Sequence, residues 1–187
     1  RRASDHNARA KALNELQDAL GLPDAPLRIE CYDMSHLQGT DYVGSMVVLE
    51  DGLPRKSEYR RFKVNIPKND DFAAMDEVLT RRFTAYLADR RKPVSERGRF
   101  GIMPRLVLGD GRPTTSVVAV DVLDRLGLSE EIPVASLAKQ FEEVYLPGRS
   151  EPVNVPRGSE ALFMLQRIRD ESHRFAITFH RERRDKR

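Results

Sequence analysis

The stretch "RIECYDMSH", residues 28–36, combines the opening of a buried β-strand with a carboxylate near its end. Ile29 and Cys31 alternate along the predicted strand, which runs from about Leu27 to Met34, so Cys31 is expected to pack in the core rather than to act as a nucleophile. Asp33 follows them, and His36 comes three residues later. An acid in this position is most often a turn or cap residue, but the carboxyl ends of strands are also where mixed sheets form their sites.

Two further strands are predicted after this one, and they are expected to form an antiparallel meander with it. The second covers "YVGSMVVLE", residues 42–50, and the third covers "SEYRRFKV", residues 57–64. The "DG" dipeptide at 51–52, followed by Pro54, predicts a turn between them.

Helices alternate with strands in the rest of the chain. The apolar spacing predicts a helix over residues 70–91. A strand at 105–111, a helix at 114–128, a strand at 132–139 and a helix at 160–184 are predicted after it. The order β-β-β-α-β-α-β-α favours an α/β fold with a mixed five-stranded sheet flanked by helices, as in ribonuclease H-like nucleases. A leading helix within residues 1–26 is expected to pack on a single domain of residues 27–187.

The composition limits the classes of function that this chain can have. It has 187 residues, one cysteine and a net charge of +3. A lone cysteine forms no internal disulfide, which favours the cytoplasm, and no apolar run is long enough to span a membrane. Residues 81–99 carry seven basic and two acidic side chains, and residues 167–187 carry eight and four. These segments indicate a polyanionic partner, although solvated helix faces explain them equally well.

Two acids are candidates for a site at the ends of predicted strands. Asp33 lies near the end of the first strand, and Asp110 follows "RLVLG" directly. If these strands are neighbours, the carboxylates converge, and a divalent cation such as Mg²⁺ or Mn²⁺ would relieve their repulsion. Each acid alone is more simply explained as a turn or cap residue, since Asp-Gly is a common turn dipeptide.

The last helix supplies a third candidate, His173. It lies on the flank of a mostly apolar stripe, together with Arg169 and Arg184. Such a histidine can bind a metal or transfer a proton, and arginines on the same side favour phosphate. The alternative is an exposed helix histidine beside Asp170.

Several motifs closely resemble the C-terminal endonuclease half of the UvrC family over nearly the whole chain. They are "RIECYDMSHLQGT", "SEYRRFKV", "DDFAAMDEVLTRRF", "SLAKQFEEVYLPG" and "LQRIRDESHRFAITFHRERR". The resemblance implies a ribonuclease H-like fold that cuts the damaged strand of double-stranded DNA on the 5′ side of a lesion in nucleotide-excision repair. It also implies a requirement for Mg²⁺ or Mn²⁺ and UvrB as a partner.

The resemblance also implies roles for particular residues. Asp33, Asp110 and His173 match the catalytic residues and are the expected metal ligands, and Asp71 matches a further acid implicated in incision. A carboxylate at a helix N-terminus is equally well explained as a cap. The residues expected to bind DNA are Arg81, Arg82, Lys139, Arg169, Arg174, Arg181 and Arg184.

One segment departs from the family pattern. The family has Asp-Gly-Gly with a glutamine a few residues later, whereas this chain has "DGRPTTS", with Arg112 and Pro113. This favours, as an alternative, a catalytically impaired DNA-binding or scaffold module; a third possibility is another ribonuclease H-like nuclease, such as a ribonuclease or resolvase. The family's 3′-cutting nuclease, most of its UvrB-binding region and its DNA-gripping C-terminal repeats are expected outside this chain, which alone should bind DNA weakly.

Overall fold

The computed structural model describes residues 2–36, 42–65, 70–111, 113–138 and 143–185. Side chains are described for the same residues except 2–4, 110, 111, 113, 114 and 179–185. Lys139, one of the predicted DNA-binding residues, therefore lies outside the described part of the chain, as does Arg112.

The described strands form one mixed sheet. They are β1 (Arg28–His36), β2 (Tyr42–Glu50), β3 (Leu53–Pro54), β4 (Arg60–Val64), β5 (Leu106–Gly111), β6 (Val134–Ala138), β7 (Glu143–Tyr145) and β8 (Val153–Asn154). The spatial order is β3-β2-β1-β5-β6-β7-β8, and β4 also pairs with β2. The pairs β1–β5 and β5–β6 are parallel, and all the other pairs are antiparallel.

The five predicted strands are present, but the predicted number of strands is wrong. In the described part of the chain the sheet has eight strands, because three segments of two or three residues also pair at its margins. The first strand also continues past Met34, its predicted end, because its pairing with β2 persists as far as His36 and Tyr42. The predicted antiparallel meander of β1, β2 and β4 is confirmed.

Four helices accompany the sheet in the described part of the chain. They are α1 (Arg2–Leu20), α2 (Asp71–Arg90), α3 (Pro113–Arg125) and α4 (Glu160–Asp185). Helix α2 crosses the sheet at Gly44, where an added Cβ would come within 2.6 Å of Val78 Cγ2. Helix α4 begins where Ser159 Oγ accepts a hydrogen bond from the backbone N–H of Leu162 at 3.1 Å. In the described residues, no helix has the length and apolar character needed to cross a membrane.

The core lies on both faces of the sheet. Every residue of β2 from Tyr42 to Leu49 is buried, which is typical of a strand covered by helices on both sides. Helices α2 and α3 pack on one face, α4 packs on the other, and α1 packs against α4. Cys31 is fully buried in this core, as its alternation with Ile29 predicts.

Candidate active site

The register of the sheet brings Asp33 and Asp110 to adjacent positions on neighbouring strands. The last registered pair of β1 and β5 is Tyr32 with Gly109. Asp33 and Asp110 are the next residues on their strands, at the point where this parallel pairing ends. Since paired strands lie about 4.8 Å apart, the two acids directly follow a closely spaced pair. The expectation that these two strands are neighbours is confirmed; the side chain of Asp110 is outside the described set.

The glycine before Asp110 explains how a helix can start so close to this position. An added Cβ at Gly109 would collide with the side chain of Thr115 in α3, so only glycine allows α3 to pack directly on the end of β5. Pro113 is the first residue of α3, a position that favours proline because its fixed φ suits the helix. The proline in the altered "DGRPTTS" segment thus has a structural explanation.

Helix α4 crosses the sheet at the row of paired residues that contains Asp33. Asp33 is paired with Ser45 on β2, and Ser45 is paired with Arg61 on β4. The Arg61 Nη2 donates to the carbonyl of Phe175 at 3.1 Å, and the guanidinium lies 3.8 Å from the Phe175 ring centroid. His173 is two residues before Phe175 and is exposed. The structure therefore places His173 on the segment of α4 that crosses the row of Asp33.

Asp70 and Asp71 have different surroundings at the start of α2. Asp70 is the cap, because its Oδ1 accepts a hydrogen bond from the backbone N–H of Ala73 at 2.9 Å. Asp71 instead lies 3.8 Å from His36 Nε2, at the end of β1. The cap explanation applies to Asp70, and Asp71 remains a candidate site residue. His36 is three positions after Asp33, so its side chain lies on the opposite face of the sheet from Asp33. Asp71, which contacts His36, therefore approaches β1 from that opposite face.

Arg82 was expected to bind DNA, and that prediction is wrong. Its side chain is 0 % exposed and forms two hydrogen bonds with Glu30, at 3.1 and 2.8 Å. Its two terminal nitrogens also donate to the carbonyls of Phe100 and Ile102, both at 2.7 Å. A guanidinium enclosed in this way holds α2, β1 and the following loop together and has no access to a ligand.

The pair of Arg82 and Glu30 is part of a larger buried network that was not predicted from the sequence. Arg28 donates to Glu30 at 2.9 Å, to Glu58 at 2.9 Å and to Glu50 at 2.7 Å. Burial alone would raise the pKa of Glu30, but the positive charges of Arg82 and Arg28 outweigh it, so the pKa lies below its ordinary value. Burial likewise opposes the charged form of Arg82, but Glu30 outweighs it and raises the pKa of Arg82.

A sequence signal for this network does exist. Arg28, Glu30 and Tyr32 alternate with apolar residues in β1, so the pleat puts all three on one face, and the Tyr32 hydroxyl donates to Glu30 at 2.6 Å. A charged residue at every second position of an otherwise buried strand indicates an internal ion pair, but its partner from α2 cannot be read from spacing within β1.

The other predicted DNA-binding residues have varied surroundings. Arg81 is exposed and donates to the carbonyl of Lys63 at 3.0 Å. Arg174 is exposed and pairs with Glu171 at 2.6 Å, whereas Arg169 is half-buried. Arg181 and Arg184 belong to α4, but their side chains are not among those described.

The residue types at the ends of β1 and β5 are those that suit a hard divalent cation. Two aspartates at adjacent register positions supply carboxylate oxygens, the ligands that Mg²⁺ and Mn²⁺ favour. Within the described residues, no group of three histidine, cysteine, aspartate or glutamate side chains lies close enough together to bind a metal. Asp110 contributes no described side chain to that comparison, so the fit depends on the register of Asp33 and Asp110.

Comparison with solved structures finds endonuclease V proteins. Endonuclease V from Ciona intestinalis, in complex with DNA that contains an inosine, is 15% identical, with a TM-score of 0.39; the match covers 83% of this chain and 84% of that one. Human ENDOV is 16% identical, with a TM-score of 0.38; the match covers 86% of this chain and 85% of that one.

Comparison of sequences gives much closer relatives. UvrABC system protein C of Parafrankia sp. (strain EAN1pec) is 50% identical over 206 residues, which cover 98% of this chain and 30% of the relative. The protein of the same name from Mycobacterium tuberculosis (strain H37Rv) is 50% identical over 196 residues, which cover 100% of this chain and 30% of the relative. The chain therefore spans about a third of the length of these relatives.

The family comparison agrees with the resemblance seen in the motifs. The model of the UvrC RNase H endonuclease domain matches residues 17–177, and the mixed sheet flanked by helices has the expected ribonuclease H-like organisation. The match includes Asp33, Asp71, Asp110 and His173. On this family match and on the 50% identity of its relatives, the chain belongs to the family of UvrC RNase H endonuclease domains.

Proposed function

We propose that this chain is a divalent-metal-dependent endonuclease domain that makes the 5′ incision on the damaged strand during bacterial nucleotide-excision repair. The observation that carries the proposal is the register of Asp33 and Asp110, which directly follow the last pair of two adjacent parallel strands. It is made in a chain of the UvrC endonuclease family. The substrate is lesion-bearing double-stranded DNA, UvrB is a partner of the whole protein, and the reaction belongs in the cytoplasm.

Asp33 and Asp110 would hold Mg²⁺ or Mn²⁺. When bound, such a cation supplies charge for a phosphoryl oxygen and lowers the pKa of a bound water. Asp33 is half-buried in the sheet, and its backbone is fixed on one side by pairing with Ser45, so its position is set before DNA arrives. His173 is exposed on α4, and an imidazole there suits a group that binds the metal or gives a proton to the leaving oxygen. Asp71 does not cap α2 and is a further candidate for a residue that contributes to incision.

The proposal is tested with Asp33→Asn in the full-length protein, assayed with its repair partners on a lesion-bearing duplex. Removing the carboxylate should lower the rate of 5′ incision by more than about 100-fold, since even the outer partners of metal ligands cost about 10–100-fold. Chelation of divalent cations should have the same effect on the unsubstituted protein.

The matched control is Asp18→Asn, which removes a carboxylate from an exposed position of α1. It should leave 5′ incision unchanged. Undiminished 5′ incision by Asp33→Asn would refute the proposed role of Asp33. If the unsubstituted protein also made no 5′ incision, the catalytically impaired scaffold would be the better description.

A further inference from the structure

The outer edge of β4 carries an unusual concentration of positive charge. Among the described strands, β4 is paired with β2 alone, so its other edge is open. Basic side chains lie on this strand and on the elements beside it: Arg60, Arg61, Lys63, Arg81 and Arg99. We call these five residues the β4 rim.

Two guanidinium groups of the β4 rim share one acceptor. Arg60 Nη1 lies 3.2 Å from the carbonyl oxygen of Ser57, and Arg99 Nη1 lies 3.1 Å from the same oxygen. Within the described residues, neither arginine forms an ion pair, and the nearby Glu58 is bonded to Arg28 at 2.9 Å. Partial burial and the charge of Arg99 lower the pKa of Arg60. Two like charges held side by side favour an external anion.

The positive charge continues along the strand toward α2. Arg81 Nη1 donates to the carbonyl of Lys63 at 3.0 Å, and its guanidinium lies 5.4 Å from the ring centroid of Phe62. Glu77 approaches Arg81 at 3.5 Å, so one carboxylate offsets part of this charge. Lys63 is exposed, so the β4 rim presents basic side chains from Arg60 to Arg81.

The β4 rim is continuous with the row of the candidate active site. Arg61 is paired with Ser45, and Ser45 is paired with Asp33. Two strand spacings separate Arg61 from Asp33, about 10 Å, which equals the rise of about three base pairs along the axis of B-DNA at 3.4 Å each. Arg60 is one position from Arg61 and so projects from the opposite face of the sheet. A DNA duplex with a phosphate at Asp33 would therefore reach Arg60 around the open edge of β4.

We propose that the β4 rim binds the phosphate backbone of the DNA that flanks the cut, and so sets the direction in which the duplex leaves the active site. This inference rests on the proposed function. It assigns contacts to Arg60, Lys63 and Arg99, which are not among the residues expected from the sequence to bind DNA. Backbone contacts of this kind position DNA without reading its sequence, as an enzyme that acts at lesions requires.

Charged residues on an edge strand also have a structural use, because they prevent edge-to-edge aggregation. The test must therefore separate DNA binding from solubility. We would measure the binding of this chain to a fluorescently labelled DNA duplex by anisotropy, beginning at low salt, where electrostatic binding is strongest. The test variant is Arg60→Gln/Arg99→Gln, and the matched control is Lys11→Gln/Arg149→Gln, which removes the same charge from exposed positions in α1 and between β7 and β8.

The test variant should bind the duplex more weakly and reduce the slope of log K against log salt by about 2, since each phosphate contact contributes about 0.9. The control should keep the slope of the unsubstituted chain. Equal losses in the two variants, an unchanged slope in the test variant, or no binding by the unsubstituted chain at low salt would each overturn the proposal. Asp33→Asn distinguishes it from the proposed function, because that variant should keep the slope while losing incision.

Discussion

At the scale of single residues, β1 carries two carboxylates with opposite environments. Glu30 is 0 % exposed and is held by two arginines, whereas Asp33 is half-buried where the pairing of β1 with β5 ends. Because Glu30 and Asp33 are three positions apart on one strand, their side chains lie on opposite faces of the sheet. Glu30 is thus suited to hold the fold together, whereas Asp33 remains a candidate site residue.

Replacement of the buried acid should reveal its contribution through pH. Glu30→Gln leaves Arg82 and Arg28 buried without their shared counter-charge, which should lower the free energy of unfolding by about 3–5 kcal/mol near pH 7. Because the charges of these arginines outweigh burial and lower the pKa of Glu30, its contribution is fully present above the ordinary glutamate pKa of about 4.3. It is lost as the pH falls through the lower pKa of the folded state.

The measurement is urea unfolding of the unsubstituted chain and of Glu30→Gln at a series of pH values. The difference in free energy of unfolding should shrink as the solution becomes more acidic, because a protonated glutamate resembles glutamine. Glu96→Gln, at an exposed position, is the control and should change little at any pH. A difference for Glu30→Gln that stays constant down to acidic pH would show that its charge does not matter.

At the scale of elements, the helices and the longer strands could be predicted from periodicity, whereas their contacts could not. The stripe of Val78, Leu79 and Phe83 predicts α2, but nothing in that stripe shows that the helix passes over Gly44. The buried Arg82 follows Arg81 in a basic segment, so its charge predicted a surface position, although Val78 and Tyr86, one helical turn before and after it, are buried. The very short strands escaped prediction because two or three residues carry no measurable alternation.

The first turn of α2 offers a test that separates a cap from a site residue. Asp70→Ala removes the acceptor for Ala73 N–H and should lower the free energy of unfolding by about 0.5–2 kcal/mol. Asp71→Ala removes no cap and should cost less than about 1 kcal/mol, through the helix dipole. If Asp71 contributes to incision, Asp71→Ala reduces the rate of 5′ incision while Asp70→Ala leaves it unchanged.

Thermal unfolding and the incision assay on the same two variants distinguish these roles. A larger loss of stability in Asp71→Ala than in Asp70→Ala would contradict the assignment of the cap. Incision that is equally unaffected by both substitutions would remove Asp71 from the candidate site.

At the scale of the whole molecule, the sequence predicted the topology better than the site. The element order favoured a ribonuclease H-like sheet, in which β1 and β5 can be neighbours, and the pairing of the two strands fulfils that condition. The candidate site needed in addition the register of that pairing and the point where α4 crosses it, which Arg61 and Phe175 fix at 3.1 Å. Contacts between residues more than 100 positions apart leave no local pattern in the chain.

The leading helix is the part of the molecule whose relation to the rest is least evident from sequence. Helix α1 buries Leu13, Leu16 and Leu20 and packs against α4, which crosses the row of Asp33. We therefore expect α1 to unfold together with the sheet, as part of one cooperative unit. The chain provides a natural probe for this, because it has five tyrosines and no tryptophan, and none of the tyrosines lies in α1.

Leu16→Ala should lower the free energy of unfolding by about 2–5 kcal/mol, because it leaves a cavity at a fully buried position. Urea unfolding would be followed both by far-ultraviolet circular dichroism, which senses all helices, and by tyrosine fluorescence, which senses the sheet and α2. If α1 belongs to the same cooperative unit, both transitions move to lower urea by the same amount and still coincide. Asn14→Ala, at an exposed position of α1, should move neither transition appreciably. A shift seen by circular dichroism alone would instead show that α1 unfolds independently and leaves the sheet intact.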